Sequence, residues 1–200
     1  LVVFSAIIAV PGDPAAIILG LNSSPTARAA LSAKLGLDVP APQRYVRWLG
    51  NALKGDLGES INYQQPVAKL IGARLQVSVP LALGAALVAT LLAIPLGILA
   101  AMKRGTLMDP LVTTLSQVGA AVPSFWLGLI FILYFAVQLK VLPAGGFTPF
   151  GTDPVKWFKG LVLPVLALGL GQAAVMTRMT RAAMLDVLSQ DFVRTAKAKG

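Results

Sequence analysis

Long apolar runs alternate with short polar stretches along this chain and predict its helices. The run 77–101 contains no charged residue, and a helix of that length extends about 37 Å, enough to cross a bilayer with some tilt. The run 111–139 is also uncharged, and Pro123 within it predicts a kink or a break. A third run reaches from 160 to about 181 if the Arg178 side chain extends its charged tip to the interface. The pattern therefore predicts three transmembrane helices.

The first ten residues are apolar but too few to cross a bilayer, which takes roughly 20 residues. They are predicted to be the last turns of a first transmembrane helix, ended by the turn sequence PGDP at 11–14. The chain has neither an initiator Met nor the basic flank of a signal peptide, and it stops at Gly200 without a closing segment. We therefore expect a fragment at both ends.

Residues 11–74 are of mixed polarity, with seven Lys or Arg and four Asp or Glu, and we expect them to face water. Apolar residues at helical spacing predict a short helix over 26–36, ended by Gly36, and a second over 45–56 with aromatic residues suited to a membrane interface. The sequence GDLGES then predicts a turn before a helix over 66–75 that lies near the membrane. The chain thus divides into 1–10, 11–74 and a helical core, 75–200.

Composition places the chain in a membrane. Hydrophobic residues make up 56% of it and charged residues 12%, with a mean hydropathy of +0.76, far from the mix of ordinary soluble domains. The net charge of +9 would suggest nucleic acid as a partner of a soluble protein, but here the basic residues follow the membrane orientation rule. Stretches 102–110 and 178–200 hold seven Lys or Arg against three in 140–159. We therefore expect the two basic stretches in the cytoplasm and 11–74 outside.

The sequence offers few residues for chemistry. It contains no Cys and no His, which removes thiolate nucleophiles, imidazole bases and the usual zinc ligands. No Asp, Glu, Lys or Arg lies at mid-membrane depth in the predicted transmembrane runs, although ion-coupled carriers and intramembrane hydrolases keep such residues there. We predict no catalytic residue, no metal site and no cofactor bound by this chain, so transport would need an external energy source.

Small residues recur every four positions along the run 77–101 and form a stripe on one face of the predicted helix. Such stripes let transmembrane backbones approach closely. We predict a helix-packing face, although the abundance of alanine and glycine in membrane helices could also produce the spacing. Its members are Ala85, Ala89, Ala93, Gly97 and Ala101.

Uncharged polar residues at membrane depth are candidates for a translocation pathway that solvates a polar solute. The alternative is that the hydroxyls bond to their own helix backbone and the glutamines bridge helices. The candidates are Thr113, Ser116, Gln117, Ser124 and Gln172, with Thr114 beside them.

The segment 189–200 predicts a short basic helix. Ser189 is a suitable N-cap, Asp191 falls in the first turn, Lys197 falls in the last turn, and Gly200 stands just past the end. A helix this short is not stable alone in water, so it must lie on anionic lipid headgroups or in a protein groove. An apolar stripe is predicted to run into it through Leu185, Leu188, Phe192 and Ala196.

Several motifs, in order along nearly the whole chain, resemble those of one transporter family. They are PGDP, GDLGES, RLQVSVPLAL, MDP with VPSFWLGL, LPAGGF, and LVLPVLALG leading into SQDFVRTAKAKG. With them the sequence resembles a permease subunit of the dipeptide, oligopeptide and nickel class of ATP-binding-cassette importers. The resemblance implies an all-α, polytopic fold, the transmembrane domain of a type I importer, in the bacterial cytoplasmic membrane.

The resemblance also implies that 189–200 opens the cytoplasmic coupling motif, which sits in a groove of an ATPase subunit. The sequence departs from the family's Glu-Ala-Ala pattern, since Arg194 and Thr195 precede the alanines. By position the implied coupling residues are Asp191, Arg194, Ala196, Lys197, Ala198 and Gly200.

The implied partners are a second permease subunit, two ATPase subunits that bind ATP and magnesium, an extracytoplasmic substrate-binding protein and membrane lipid. The substrate stays open among dipeptides, oligopeptides, nickel chelates and other small solutes. The competing hypotheses are a membrane scaffold with a lipid-binding basic helix and an ion-coupled carrier.

Overall fold

The computed structural model describes residues 4, 14–20, 23–34, 36–60 and 62–200. The chain divides into two compact units, Leu1–Ala73 and Arg74–Gly200. Apart from Phe4, the predicted end of a first transmembrane helix at 1–10 lies outside the described residues, as does most of the PGDP turn.

The first unit contains short helices and one small strand pair. Gly36, with φ of 64°, follows the second helix as a glycine at a helix end does. The described elements are α1 (Pro14–Leu19), α2 (Pro25–Lys34), α3 (Ala41–Leu53) and strands β1 (Glu59–Ser60) and β2 (Gln65–Pro66), which pair antiparallel.

Helix α4 covers Val67–Met102 without interruption. The helix predicted over 66–75 is present from Val67, but it continues into the apolar run and forms the first part of α4. Its Lys69 and Arg74 are good helix formers that are polar, so hydropathy detects only the apolar remainder. The prolines at 80 and 95 lie inside the helix, as transmembrane helices tolerate.

The predicted helix 111–139 is two helices in the structure. Helix α5 covers Met108–Ala121, and α6 covers Ser124–Phe131 and continues as a π-helix over Ile132–Gln138. The two are bent by 93° at the break. Val122 is extended, with φ of −75° and ψ of 121°, because the ring of the following proline disfavours helical backbone there.

Helix α7 covers Pro154–Leu188 and begins six residues before the predicted start at 160. The side chain of Asp153 accepts hydrogen bonds from the backbone N–H groups of Val155 and Lys156, at 3.1 and 3.0 Å. This N-cap lets the helix start within a polar stretch. By length and composition α4 and α7 can each cross a membrane, and the bent α5 and α6 pair makes a third crossing if it is one span.

In the second unit, α4 and α7 approach each other through glycines. A Cβ added to Gly97 would lie 2.6 Å from the Cβ of Thr180, and one added to Gly169 would lie 2.9 Å from the Cβ of Val88. These distances are shorter than carbon contacts allow, so only glycine fits at either position. The residues predicted as a small-residue stripe on α4 are all buried: Ala85, Ala89, Ala93, Gly97 and Ala101.

Helix α7 also contacts the bent pair. A Cβ on Gly119 of α5 would lie 3.1 Å from the Cβ of Ala174, and one on Gly128 of α6 would lie 3.7 Å from the Cβ of Ala167. Both alanines are buried. Helix α7 is therefore the element against which α4, α5 and α6 all pack.

Replacing Gly169 by alanine is expected to destabilise the helical core, since the new methyl group meets Val88 and the backbone oxygen of Ala85. Overpacking of this kind costs about 1–3 kcal/mol. Gly171→Ala is the matched control, because its added Cβ has no neighbour within 4 Å. Thermal unfolding of the two purified variants in detergent measures the difference, and equal midpoints would contradict the packing argument.

The cap at Asp153 predicts a pH dependence at the start of α7. The Lys156 backbone N–H holds the pKa of the Asp153 carboxyl below its ordinary value of 3.8. The cap is therefore fully present above that value and is lost as the pH falls through the lower, folded-state pKa. The protection of the Val155 and Lys156 amides from hydrogen exchange, measured relative to the intrinsic exchange rate at each pH, should therefore fall at such acid pH.

The variant Asp153→Ala should show faster exchange at neutral pH, by about fivefold. Asp153→Asn keeps an acceptor oxygen that does not titrate, so the protection of its Val155 and Lys156 amides should not fall at acid pH. A fall in protection at acid pH that persists in Asp153→Asn would exclude this carboxyl as its source.

Candidate functional site

The predicted short basic helix is present as α8, Asp191–Ala198. Its N-cap is Gln190, which has extended backbone and makes no side-chain capping bond. The prediction that Ser189 is the N-cap is wrong. Because α7 continues to Leu188, Ser189 forms the C-cap of α7, and its hydroxyl donates to the backbone oxygen of Asp186 at 2.8 Å.

The charges of α8 are arranged along the helix dipole. Asp191 lies in the first turn, and Lys197 lies in the last turn. Arg194 Nη1 lies 3.5 Å from Asp191 Oδ1, and both side chains are largely exposed. Gly200 has φ of 95°, a conformation that favours glycine just past a helix end.

The predicted apolar stripe does not continue along one helix. Leu185 and Leu188 belong to α7 and are half-buried, whereas Phe192 lies beyond the break and is 62% exposed. The stripe is interrupted because the backbone leaves helical geometry at Gln190. No residue of α8 is buried, and its surface is open at the implied coupling positions Asp191, Arg194, Ala196, Lys197 and Ala198.

A cavity of about 430 Å³ lies beside α8. Its wall is formed by residues near the C-terminal ends of α4 and α7 and by one lysine of α8, so it combines apolar side chains with cationic ones. The lining residues are Ala101, Met102, Arg104, Leu185, Leu188, Ser189 and Lys197.

The polar residues predicted for a pathway do not line one cavity. Ser116 is 6% exposed and lines an apolar cavity of about 340 Å³ among α4 to α7. Thr113 is half-buried, with its hydroxyl 3.5 Å from Asp109 Oδ1. The others are exposed: Thr114, Gln117, Ser124 and Gln172.

One buried polar residue was missed by the sequence reasoning. Thr177 is 2% exposed and lines the same cavity as Ser116. Its hydroxyl donates to the backbone oxygen of Ala173 at 2.7 Å, the local bond that lets a threonine lie inside a membrane helix.

The sequence reasoning also missed an ion pair between α5 and α7. Arg181 donates from Nε to Asp109 Oδ1 at 2.6 Å and from Nη2 to Asp109 Oδ2 at 2.8 Å. Asp109 is 9% exposed. Arg181 was used only as a charge that orients the membrane, and Asp109 only as part of the MDP motif. The sequence signal that could have predicted the pair is an acidic and a basic residue at the neighbouring ends of two apolar runs.

Within the described residues no three acidic side chains cluster as a metal site would require.

The comparisons with known proteins identify the family. The family described as binding-protein-dependent transport system inner membrane component matches residues 93–200. The N-terminal family of the same transport-system membrane components matches residues 1–82. The chain therefore belongs to the family of inner membrane components of binding-protein-dependent transport systems, and it is a helical membrane protein.

Several curated relatives are similar over most of this chain. A Brucella abortus (strain 2308) protein, provisionally named a peptide transport system permease protein, is 40% identical over 190 residues, covering 95% of this chain and 60% of the relative. The oligopeptide transport system permease protein AppB of Bacillus subtilis is 39% identical over 195 residues, covering 96% and 62%.

The dipeptide transport system permease protein DppB of Escherichia coli is 35% identical over 224 residues, covering all of this chain and 66% of the relative. The chain thus spans about three fifths of the length of the curated relatives it matches first.

Proposed function

We propose that this chain is part of the transmembrane permease subunit of an ATP-driven importer, which moves a peptide or similar small solute delivered by a binding protein. The observation that carries the proposal is α8, an exposed basic helix that directly follows the central helix α7. Another subunit can bind to the exposed surface of α8. Because α8 is attached to α7, a movement of α8 can be transmitted to the helices that pack against α7. The names of the relatives support peptides as the substrate class.

The energy source belongs to a separate subunit in this proposal. The sequence contains no G-x-x-x-x-G-K phosphate loop. The chain is then a transport subunit and not an enzyme, and ATP with magnesium binds to the ATPase partner. Closure of that partner would shift the helices between inward-open and outward-open states.

The proposed assembly is a multi-pass complex in the bacterial cytoplasmic membrane. Residues 11–74 face the outside and help receive the binding protein, while α8 faces the cytoplasm, as the excess of Lys and Arg at that end supports. A second permease subunit and two ATPase subunits complete it. Ser116 and Thr113 remain candidates for the pathway, together with the exposed Gln117, Ser124 and Gln172.

A lipid-bound α8 is the competing possibility, since Phe192 is exposed beside basic residues. Basic amphipathic helices next to membranes bind anionic headgroups. On this account the protein would be a membrane scaffold.

A single cysteine in place of Ala196 distinguishes the coupling role from the lipid-bound scaffold. In the full-length complex, this Ala196→Cys variant is expected to cross-link to a copurifying ATPase subunit, with a yield that changes when ATP is added. Thr152→Cys is the control, because Thr152 is also exposed but lies before the other end of α7, outside the cytoplasm in the proposed topology. Labelling of the Ala196→Cys variant by lipid alone would reject the coupling role and favour the scaffold.

Replacing Gly200 by leucine is expected to uncouple ATP hydrolysis from uptake. Its φ of 95° is strained for leucine, so the chain beyond α8 would take another direction. Uptake per ATP hydrolysed should fall by about tenfold. Gly200→Asn tolerates this φ better and should retain more uptake. Equal uptake per ATP in wild type and Gly200→Leu would contradict the prediction.

A further inference from the structure

Of the ion pairs within the described residues, Asp109 with Arg181 is the one that joins two helices. Two parallel hydrogen bonds, 2.6 and 2.8 Å long, connect the guanidinium to the carboxylate. A bidentate pair of this kind restricts both the distance and the relative rotation of the two groups. The side chains are 13% and 26% exposed for Asp109 and Arg181, so water competes weakly for these bonds.

The pair lies where α7 approaches its junction with α8. Arg181 precedes Leu188, the last residue of α7, by seven positions, which is about 10 Å of helix. Asp109 lies in the first turn of α5, directly after the turn that connects α4 to α5. The pair therefore joins the end of α7 that carries α8 to the beginning of α5.

The rest of the α5 and α7 contact is of a different kind. Near Gly119 and Ala174 the two helices meet through small side chains, and Val112 is buried on α5. Apolar contacts between small groups have no preferred direction, so they resist sliding or rotation weakly compared with two directed hydrogen bonds. The packed apolar contacts pass part of a displacement of α8 into the core, and the pair adds a directed connection to α5 at the end that carries α8.

We propose that Asp109 and Arg181 are positioning residues that transmit the movement of α8 to α5 during import. This inference rests on the proposed function, and it adds the contact by which the coupling helix acts on the transmembrane helices. Neither residue touches the solute or the nucleotide in this proposal. Their loss lowers the amount of solute imported for each ATP hydrolysed.

The test uses the full-length permease assembled with its own partner subunits in proteoliposomes. Radiolabelled di-alanine and tetra-alanine serve as probes, and uptake and ATP hydrolysis are measured on the same vesicles. Asp109→Asn and Arg181→Gln each break the pair, and we expect uptake per ATP to fall by about fivefold or more. Arg178→Gln is the matched control, because Arg178 is an exposed arginine on the same helix, and it should leave that ratio unchanged.

Two further variants separate positioning from general stability. Arg181→Lys keeps the positive charge but loses the two-pronged geometry, so its uptake per ATP should also fall while the complex stays assembled. The double variant that combines Asp109→Arg with Arg181→Asp reverses the two charges and restores an ion pair. Its uptake per ATP hydrolysed should therefore recover in part.

Three outcomes would overturn the proposal. An unchanged ratio in Asp109→Asn and Arg181→Gln removes the role outright. A normal ratio in Arg181→Lys would show that charge alone suffices and that the geometry does not matter. A loss of assembled complex in the pair-breaking variants, with the ratio normal in the fraction that assembles, would show a purely structural pair.

The wild-type measurement separates this proposal from the proposed function. If the wild-type complex takes up neither peptide with ATP, peptide import itself is rejected, and the positioning role falls with it. If wild type imports and the variants keep its ratio, only the positioning role is rejected.

Discussion

The close approach of α7 to its neighbours is the constraint on which the structure of the helical core depends. Lipid is as apolar as the side chains of a membrane helix, so burial provides no hydrophobic drive for the helices to associate. Contact must come from packing, and Gly97 and Gly169 allow it because any side chain there would overlap with the opposite helix. The buried alanines of α4 and the buried Ala174 of α7 extend the same packing along the core.

The two ends of α7 differ in the polar interactions that they make. The end at Asp153 begins with a capped helical turn in a polar stretch. The other end combines the Asp109 and Arg181 pair with the junction to α8. Directed hydrogen bonds therefore lie beside the exposed helix, and apolar contacts without direction lie in the middle. In the proposed coupling, this arrangement would transmit a movement of α8 into the core without a charged group at mid-membrane.

Sequence alone predicted the apolar core of each long helix, because hydropathy over about 20 residues is a strong signal. It did not predict that α4 begins at Val67 or that α7 begins at Pro154, since helical residues outside the apolar run have ordinary polarity. Pro123 predicted a kink or a break, but the local pattern does not contain the angle of 93° between α5 and α6.

The candidate functional residues were predictable to different degrees. The existence of α8 followed from its charges and the glycine after it, whereas the role of Ser189 did not, because either of two helices could use it as a cap. The Asp109 and Arg181 pair joins residues 72 positions apart, so no local pattern reveals it. Motif resemblance identified the family, since many weak motifs in one order are specific when taken together.

The most direct test of the account is the energy source of uptake by the full-length complex. Proteoliposomes containing the permease and its ATPase and binding-protein partners are loaded with ATP or left without it, with or without an ion gradient, and uptake of labelled di-alanine is measured. The account predicts uptake that requires ATP and persists when ionophores remove the gradient. Uptake that continues without ATP and collapses with the gradient would contradict it and identify an ion-coupled carrier.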